Sequence, residues 1–320
     1  MSHPQQIPTT ETIEFKKDFI ERYSQLTDWE QFKHYSLSFL RRSIRINTIF
    51  GSIEEIKKGI EQKNWILQPI PWCKEGFWIS HPVRRDVGNL LEHHLGMIYV
   101  QEAASMIPPL ILNPQPGDLV LDMCAAPGSK TTQMGAMMES TGLIVANDYK
   151  GQRLRSLGLN LQRSCLTNVL ITLMHGKRFY QFQFDKILLD APCSGTGTIR
   201  KSLKTITIWN AGMISKLARQ QKELIQRAFE NLKPGGEMVY STCSVEPEED
   251  EGVVDFLLKK FPDAEIMNVK LPGLKTSLAV TEFDGIKYDP RVKNTLRIWP
   301  QDNDTEGFFI AKIRKKIENQ

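Results

Sequence analysis

The sequence has no long apolar run, and this absence removes one class of protein. None of its apolar stretches reaches the roughly 18–20 residues that a membrane-spanning helix needs. Residues 1–19 also contain no apolar core of the kind that a secretory signal peptide carries. We therefore expect a cytoplasmic protein that does not enter a membrane.

Cysteine is scarce, and its spacing excludes two structural uses. The five cysteines are an odd number, and no two of them form a C-x-x-C pair: Cys73, Cys124, Cys165, Cys193 and Cys243. The missing paired spacing argues against a structural zinc site, so no bound metal is expected. A reducing cytoplasm argues against disulfides. Packing and chemistry remain as reasons for these cysteines.

Two phosphate-binding motifs are also absent. The chain has neither a G-x-G-x-x-G fingerprint nor a G-K-S/T Walker loop. Instead, LVLDMCAAPGSKTTQM (119–134) follows a predicted strand, and its small residues would let backbone amides approach a ligand closely. Ser129 is expected to cap the next helix. Asp148 ends the next strand, where a carboxylate can accept two hydrogen bonds from a ribose diol. This combination favours S-adenosylmethionine over a dinucleotide.

The composition is that of a globular protein with a small excess of positive charge. Hydrophobic residues make up 41%, charged residues 24%, and the net charge is +4. This charge permits a nucleic-acid partner without requiring one. The excess is local, at 41–45, 81–86 and near the C-terminus, and the ordinary interpretation of any single cluster is a solvated face.

Residues 1–95 are predicted to form a small α+β domain. Apolar residues have helical spacing over 12–26, and alternation with β-branched residues over 43–50 predicts a strand. Ser52 is expected to cap a helix with three isoleucines on one face. Further short strands are predicted at 66–71 and 76–80.

From residue 96, predicted strands alternate with helices, which indicates a doubly wound parallel sheet. Five strand candidates are apolar through the middle, as strands buried on both faces should be. They lie at 118–123, 142–148, 168–172, 184–190 and 235–242, and 306–315 is expected to close the sheet. The predicted fold is therefore α/β, with a Rossmann-like domain over 96–320 after the small α+β domain.

Four segments resemble the NOL/NOP/Sun family of RNA (cytosine-5)-methyltransferases. They are YVQEAAS (99–105), DMCAAPGSKT (122–131), LDAPCSGTG (189–197) and LKPGGEMVYSTCSVEPEEDE (232–251). The resemblance spans roughly residues 40–315. It implies that domain 1–95 binds RNA and that domain 96–320 is an S-adenosylmethionine-dependent methyltransferase.

The resemblance also implies a cofactor site. The loop that would line S-adenosylmethionine consists of Cys124, Ala125, Ala126, Pro127, Gly128, Ser129 and Lys130. Asp148 and Arg153 would hold the adenosine end, and Asp190 would lie between cofactor and base. The chain departs from the family at Asp250, where Asn is usual.

A second departure is His175, which stands where the family usually has an Asp that contacts the adenine amino group. A neutral imidazole accepts one hydrogen bond but lacks the carboxylate's charge. We therefore expect weaker cofactor binding, or compensation by neighbouring residues. The alternative is that His175 is a surface loop residue without contact to the cofactor.

The chemistry of cytosine gives a reason for two cysteines at neighbouring strand ends. Carbon-5 is a poor nucleophile, and addition of a thiolate to carbon-6 makes it enamine-like. The carbon-5 proton must then leave before the thiol is expelled. The resemblance assigns attack to Cys243 and assistance in product release to Cys193; attack by Cys193, as in DNA cytosine methyltransferases, is the alternative. Asp190 is expected to hydrogen-bond the base, with Lys130 contributing charge.

The predicted partner is RNA, bound by a monomeric protein. tRNA is favoured over rRNA because no further RNA-binding domain fits after residue 320. Arg41, Arg42 and Arg45 are expected to contact phosphates, and Trp72 and Trp78 to stack on bases.

Two other functions are alternatives to RNA cytosine-5 methylation. The first is an RNA-binding ribosome-assembly factor with the same fold and little or no turnover; Cys193, Cys243 and Asp190 argue against it, and His175 leaves it open. The second is an amino-group methyltransferase, but DAPC lacks the aromatic residue that such enzymes place after their prolines.

Overall fold

The structure, a computed structural model, describes residues 4–8, 10 and 13–317. Its α-helices are α1 (Lys17–Leu26), α2 (Trp29–Ser36), α3 (Ile53–Glu61), α4 (Leu91–His94), α5 (Ile107–Leu112), α6 (Ser129–Met137), α7 (Gly151–Arg163), α8 (Lys204–Ile208), α9 (Ala211–Glu230), α10 (Glu251–Lys260) and α11 (Pro300–Asn303). The helix predicted over 12–26 begins at Lys17, and Thr12 lies outside the described residues.

The β-strands complete the architecture. They are β1 (Ser43–Ile46), β2 (Ile66–Ile70), β3 (Cys73–Ser80), β4 (Ile98–Val100), β5 (Leu119–Asp122), β6 (Leu143–Asp148), β7 (Val169–Leu173), β8 (Phe184–Asp190), β9 (Leu232–Thr242), β10 (Ala264–Ile266), β11 (Glu282–Phe283), β12 (Ile286–Lys287), β13 (Leu296–Ile298) and β14 (Phe308–Lys315). Strands β11 and β12 form a separate hairpin.

The first sheet is small and antiparallel, in the order β2-β3-β1-β4. Helix α3 buries Ile56 and Ile60 against it. The helix begins with a capping box in which Ser52 and Glu55 each bond the other's backbone, so the predicted cap is confirmed. Strand β4 belongs to this sheet although it follows residue 95, and the division of the chain at that residue stays a prediction.

Helices α1 and α2 pack on the second half of the chain. Phe19 and Tyr23 from α1 and Phe32 from α2 form an aromatic cluster with Trp209 and Trp299. Within it, Tyr23 stacks on Phe32 with ring centroids 4.7 Å apart. The N-terminal helices are therefore attached to the larger domain rather than to the small sheet.

The second sheet confirms the predicted Rossmann-like α/β fold. Its strand order is β10-β14-β9-β8-β5-β6-β7, with β13 beside β14. The pairs β5–β6, β6–β7, β5–β8 and β8–β9 are parallel, and β14 runs antiparallel between β9 and β10. The chain leaves β5 first toward β6 and later toward β8. The carboxyl ends of β5 and β8 therefore form a topological switch point, where such sheets bind ligands.

Helices cover most of this sheet on both faces. Helices α9 and α10 pack on one face, and α5 and α6 on the other. The expectation that all five predicted strands are buried on both faces is wrong for β7, where Leu170 and Leu173 are exposed. The reason is that β7 is an edge strand. No helix of the described residues is long and apolar enough to cross a membrane.

Candidate active site

A cleft of about 470 Å³ lies at the switch point. The predicted site residues that line it are Cys124, Ala125, Ala126, Pro127, Ser129, Lys130, Arg153, Asp190 and Cys243. The fold thus brings together the loop after β5, the end of β8 and the end of β9. Gly128, Asp148, His175 and Cys193 are not part of this lining, and each is described below.

The loop after β5 turns sharply into α6. Gly128 has φ +103°, a conformation that favours glycine, and a Cβ there would lie 2.9 Å from Leu157 Cδ1. Ser129 is the first residue of α6, and Gly128 takes the cap position without a side-chain bond, so the predicted Ser129 cap is wrong. The sharp turn leaves the small side chains of Ala125 and Ala126 on the cleft wall.

Lys130 and Asp190 form an ion pair inside the cleft. Lys130 Nζ lies 2.7 Å from Asp190 Oδ2 and 3.0 Å from Ser105 Oγ, and Ser241 Oγ donates to Asp190 Oδ1 at 2.9 Å. Burial lowers the pKa of Lys130, but the charge and hydrogen bond of Asp190, together with the smaller contributions of Cys243 and Asp122, outweigh burial, and the net shift is upward. Lys130 therefore acts as a fixed positive charge that holds Asp190 in place.

The two cysteines at the strand ends are in contact. Their Sγ atoms are 3.2 Å apart, and both cysteines are free thiols. The hydrogen bond to Cys243 and burial together raise the pKa of Cys193 well above its usual range. Cys193 therefore keeps its proton and can share it with the sulfur of Cys243.

Two glycines bring the last strand up to the cysteines. Gly197 N donates to Cys243 O at 3.0 Å, and Gly307 N donates to Gly197 O at 2.8 Å. A Cβ on Gly197 would lie 2.3 Å from Gly307 O, so only glycine fits there. The segment that leads into β14 is thus hydrogen-bonded to the Cys243 loop through Gly197.

The acidic run after Cys243 is buried rather than solvated. Glu246, Glu249, Asp250 and Glu251 have 0% exposure. Arg297 donates Nε–H to Glu251 Oε1 at 2.9 Å and lies 3.3 Å from Asp250 Oδ2. Burial raises the pKa of Asp250 well above its usual range, although the charge of Arg297 opposes the shift. Arg297 is therefore the counter-charge for the Asp250 that departs from the family pattern.

At the other end of the cleft, Asp148 is covered by Arg153. Asp148 is 1% exposed, its Oδ1 accepts Lys150 N at 3.0 Å, and its Oδ2 lies 3.0 Å from Arg153 Nη1. Arg153 Nη2 also donates to Ala126 O. This ion pair links the end of β6 to the loop after β5.

His175 lies just beyond Asp148, after β7. Its Nδ1 accepts Lys177 N at 3.4 Å, and its ring centroid is 5.7 Å from that of Tyr149. Its assignment to the cofactor stays a prediction, as do those of Asp148 and Arg153.

Three carboxyl groups of the cleft were missed by the sequence analysis: Asp122, Glu102 and Glu306. Asp122 accepts Thr131 Oγ1 at 2.7 Å, and burial raises its pKa to about 7. Glu306 N donates to Glu102 Oε1 at 3.2 Å, and burial raises the pKa of both glutamates. Asp122 is the first residue of the DMCAAPG motif, so the sequence could have identified it as a site residue. Glu102 and Glu306 are 204 residues apart, and no local sequence pattern indicates that they pair.

The expected RNA contacts of the N-terminal region need correction. Arg45 is 3% exposed and donates to Gln101 Oε1 and Thr132 Oγ1, so its predicted phosphate contact is wrong. Trp72 is also buried and cannot stack on a base. Arg41 lies over the ring of Trp78 at 3.7 Å and pairs with Asp304. Arg42 is exposed, as the prediction requires.

Comparison with known families decides the class of protein. Residues 109–314 match the family described as 16S rRNA methyltransferase RsmB/F. Residues 15–103 match the N-terminal domain of 16S rRNA methyltransferase RsmF. The chain belongs to the RsmB/F methyltransferase family. This confirms the predicted membership of the NOL/NOP/Sun group and, at the level of the enzyme family, the prediction of an RNA (cytosine-5)-methyltransferase.

Individual RsmB/F relatives differ in how much of their length the chain matches. A tRNA (cytosine(49)-C(5))-methyltransferase of Pyrococcus abyssi is 52% identical, and the match covers 94% of this chain and 98% of the relative. A ribosomal RNA small subunit methyltransferase F of Shewanella amazonensis is 42% identical over 89% of this chain and 60% of its own length. A crystal structure of a methyltransferase homologue from Pyrococcus horikoshii is 37% identical, with a TM-score of 0.84 over 94% of this chain and 95% of that one.

Proposed function

We propose that this chain uses S-adenosylmethionine to methylate carbon-5 of a cytosine in tRNA, with cytosine 49 as the target. The contact of 3.2 Å between the sulfurs of Cys193 and Cys243 carries the proposal. The choice of tRNA follows the relative named for tRNA cytosine 49, at 52% identity, over the one named for ribosomal RNA, at 42%. We also propose a monomeric, cytoplasmic protein whose residues 1–95 bind RNA.

The residues of the cleft fit S-adenosylmethionine. The volume of about 470 Å³ lies within the roughly 300–1,000 Å³ of small-molecule sites. Asp148 Oδ2 accepts no hydrogen bond from the described residues and is held only by its ion pair with Arg153, so a ribose hydroxyl would reach it once the half-exposed Arg153 turns aside. Residues Cys124–Lys130, Asp148 and Arg153 would hold the molecule, with His175 near its adenine. When bound, it supplies an electrophilic methyl group.

The reacting base would meet Asp190 and Cys243 in the same cleft. The thiolate of Cys243 forms a bond to carbon-6, which makes carbon-5 nucleophilic. The carboxylate of Asp190, fixed by Lys130 and Ser241, can accept a hydrogen bond from the exocyclic amino group of cytosine. A uracil has a carbonyl oxygen in that position. The carbonyl and the carboxylate of Asp190 are both hydrogen-bond acceptors and could not bond to each other, so the arrangement favours cytosine.

In product release, we propose that solvent water accepts the carbon-5 proton. The electron pair of that bond re-forms the double bond between carbon-5 and carbon-6, and the bond from carbon-6 to Cys243 breaks. Cys193 holds its proton 3.2 Å from the departing sulfur and stabilises it as a thiolate by hydrogen bonding. The two cysteines thus have separate tasks, because only the attacking residue is needed to form the covalent bond.

Substitution of each cysteine tests this division. Cys243→Ala should abolish methylation and form no covalent RNA adduct. Cys193→Ala should transfer the methyl group and then accumulate an adduct that survives denaturing electrophoresis. Cys165→Ala, at an exposed cysteine, should behave as wild type. An adduct in Cys243→Ala and none in Cys193→Ala would reverse the roles, and normal methylation by both variants would refute the mechanism.

Bisulfite sequencing of RNA from cells with and without the gene tests the substrate. We expect one cytosine of tRNA to lose protection when the gene is absent, and a tRNA transcript with uridine at position 49 to be inert with the purified protein. Loss of protection in ribosomal RNA alone would overturn the tRNA assignment. Unchanged RNA together with RNA binding would instead favour the ribosome-assembly factor.

A further inference from the structure

The carboxylate of Glu249 joins the two cysteine loops. Its Oε2 accepts the backbone N–H of Ser194 at 2.9 Å, and its Oε1 accepts the hydroxyl of Ser244 at 3.1 Å. Ser194 directly follows Cys193, and Ser244 directly follows Cys243. One side chain therefore fixes the residue after each cysteine.

Further hydrogen bonds make this connection stiff. Gln221 donates to Glu249 Oε2 at 2.8 Å and to Pro192 O at 2.9 Å, so the residues on both sides of Cys193 are held. The hydroxyls of Ser194 and Ser244 are 3.1 Å apart. Glu249 has 0% exposure, so water does not compete for these bonds, and each one is costly to break.

We propose that Glu249 is a positioning residue that sets the distance between the sulfurs of Cys193 and Cys243 for product release. Glu249 does not line the cleft and so acts through the two loops rather than on the RNA. The inference rests on the proposed function, in which Cys193 assists the departure of Cys243.

The two steps of the reaction should respond differently to loss of Glu249. Attack needs only Cys243, whereas release needs both sulfurs at the right separation. In single turnover, Glu249→Ala should slow adduct resolution about tenfold or more and adduct formation less than about threefold. Glu249→Gln should restore the wild-type ratio, because its oxygen still accepts from Ser194 and its amide donates to Ser244.

A second measurement needs neither RNA nor cofactor. The thiol oxidant diamide converts two adjacent thiols into a disulfide and is itself reduced to the hydrazine. Peptide mapping then gives the rate at which Cys193 and Cys243 become linked. Glu249→Ala should lower this rate about tenfold because the two loops lose their common anchor, and Glu249→Gln should not. An unchanged rate in Glu249→Ala would overturn the proposal.

Glu246→Gln is the matched control. Glu246 is equally buried in the same segment, but its carboxylate binds Arg22, Tyr23 and Trp209 instead of the cysteine loops. We expect it to lower stability and leave the formation-to-resolution ratio and the linking rate unchanged. Equal slowing of both steps in both variants would show a merely structural role and overturn the inference.

Two outcomes separate this inference from the proposed function. If Cys193→Ala accumulates no adduct, the roles proposed for the two cysteines are wrong. The rate at which diamide links Cys193 to Cys243 still tests whether Glu249 positions them. If Glu249→Ala does not fold, Ser244→Ala removes only one of the three hydrogen bonds to the carboxylate. It should shift both measurements in the same direction by about twofold to threefold, and a wild-type result would overturn the inference.

Discussion

The two ends of the proposed site, one for the reacting base and one for the adenosine of the cofactor, are held in different ways. We call them the reactive half and the adenosine half. In the reactive half, at the ends of β8 and β9, Asp190 has partners on both carboxylate oxygens and the two cysteine sulfurs are in contact. In the adenosine half, Asp148 at the end of β6 is buried beneath Arg153. Beyond the cleft lining, after β7, His175 accepts one long backbone bond, and Leu173 beside it is exposed. The groups proposed to react are thus fixed by the fold, while the part of the adenosine half around His175 leaves more contacts for a ligand to make.

The sharpest test of this contrast removes the charge that supports the reactive half. Arg297→Met leaves Glu251 and Asp250 buried without their cation, so we expect the free energy of unfolding to fall by about 3–5 kcal/mol. In the adenosine half, Lys177 pairs with Glu223 at 3.7 Å, and both side chains are half exposed. Lys177→Met should cost less than about 0.5 kcal/mol. Urea unfolding measures both; similar losses would remove the contrast.

A pH series probes Asp122, which lies at the end of β5 between the two halves. Burial raises its folded pKa to about 7, so the folded state binds more protons than the unfolded state between about pH 4 and pH 7. The unfolding free energy of the wild type should therefore fall relative to that of Asp122→Asn as the pH rises through this range, by about 1–3 kcal/mol. Urea midpoints at pH 5 and pH 8 measure the difference. A difference that does not change with pH would mean that Asp122 titrates at its usual value.

The adenosine half should respond in ligand affinity more than in stability. Asp148→Ala removes the acceptor proposed for the ribose, and calorimetry should show at least about tenfold weaker binding of S-adenosylmethionine or its demethylated product. Asp185→Ala is the control, because Asp185 lies at the start of β8, away from the carboxyl ends of the strands that form the cleft. This variant should bind S-adenosylmethionine normally. Strong binding of NAD without any response to S-adenosylmethionine would contradict the cofactor assignment.

The smallest effect is expected at His175. His175→Asp restores the residue that is usual in the family, and its surroundings are open enough to accept the change. Cofactor affinity should stay within about threefold of the wild type or become tighter. A collapse of affinity in the same calorimetric titration would mean that the imidazole makes a contact that a carboxylate cannot replace.

The sequence was most informative where local pattern and fold agree. The strands that end at Asp122, Asp148 and Asp190 were predicted from their apolar character. Because ligands bind beyond the carboxyl ends of the strands in such sheets, these three ends were expected to lie at one site. Burial of individual side chains was predicted less well. Arg45 was predicted to be a surface cation, yet it binds Gln101 and Thr132 inside the protein. Thr132 lies in α6, so this burial depends on how the small sheet packs against the larger domain. The Glu102–Glu306 pair escaped notice for the same reason.

The contact of Gly197 with Gly307 has a consequence for the order of events on the ribosome. Strand β14, which follows Gly307, lies between β9 and β10. The sheet therefore cannot be complete until this late segment has been translated. Only then can the amide of Gly307 bind Gly197 O and the side chain of Glu306 line the cleft. During synthesis, the nascent chain therefore carries both cysteines for more than sixty residues before their surroundings are complete, since Cys243 precedes Gly307 by 64 positions.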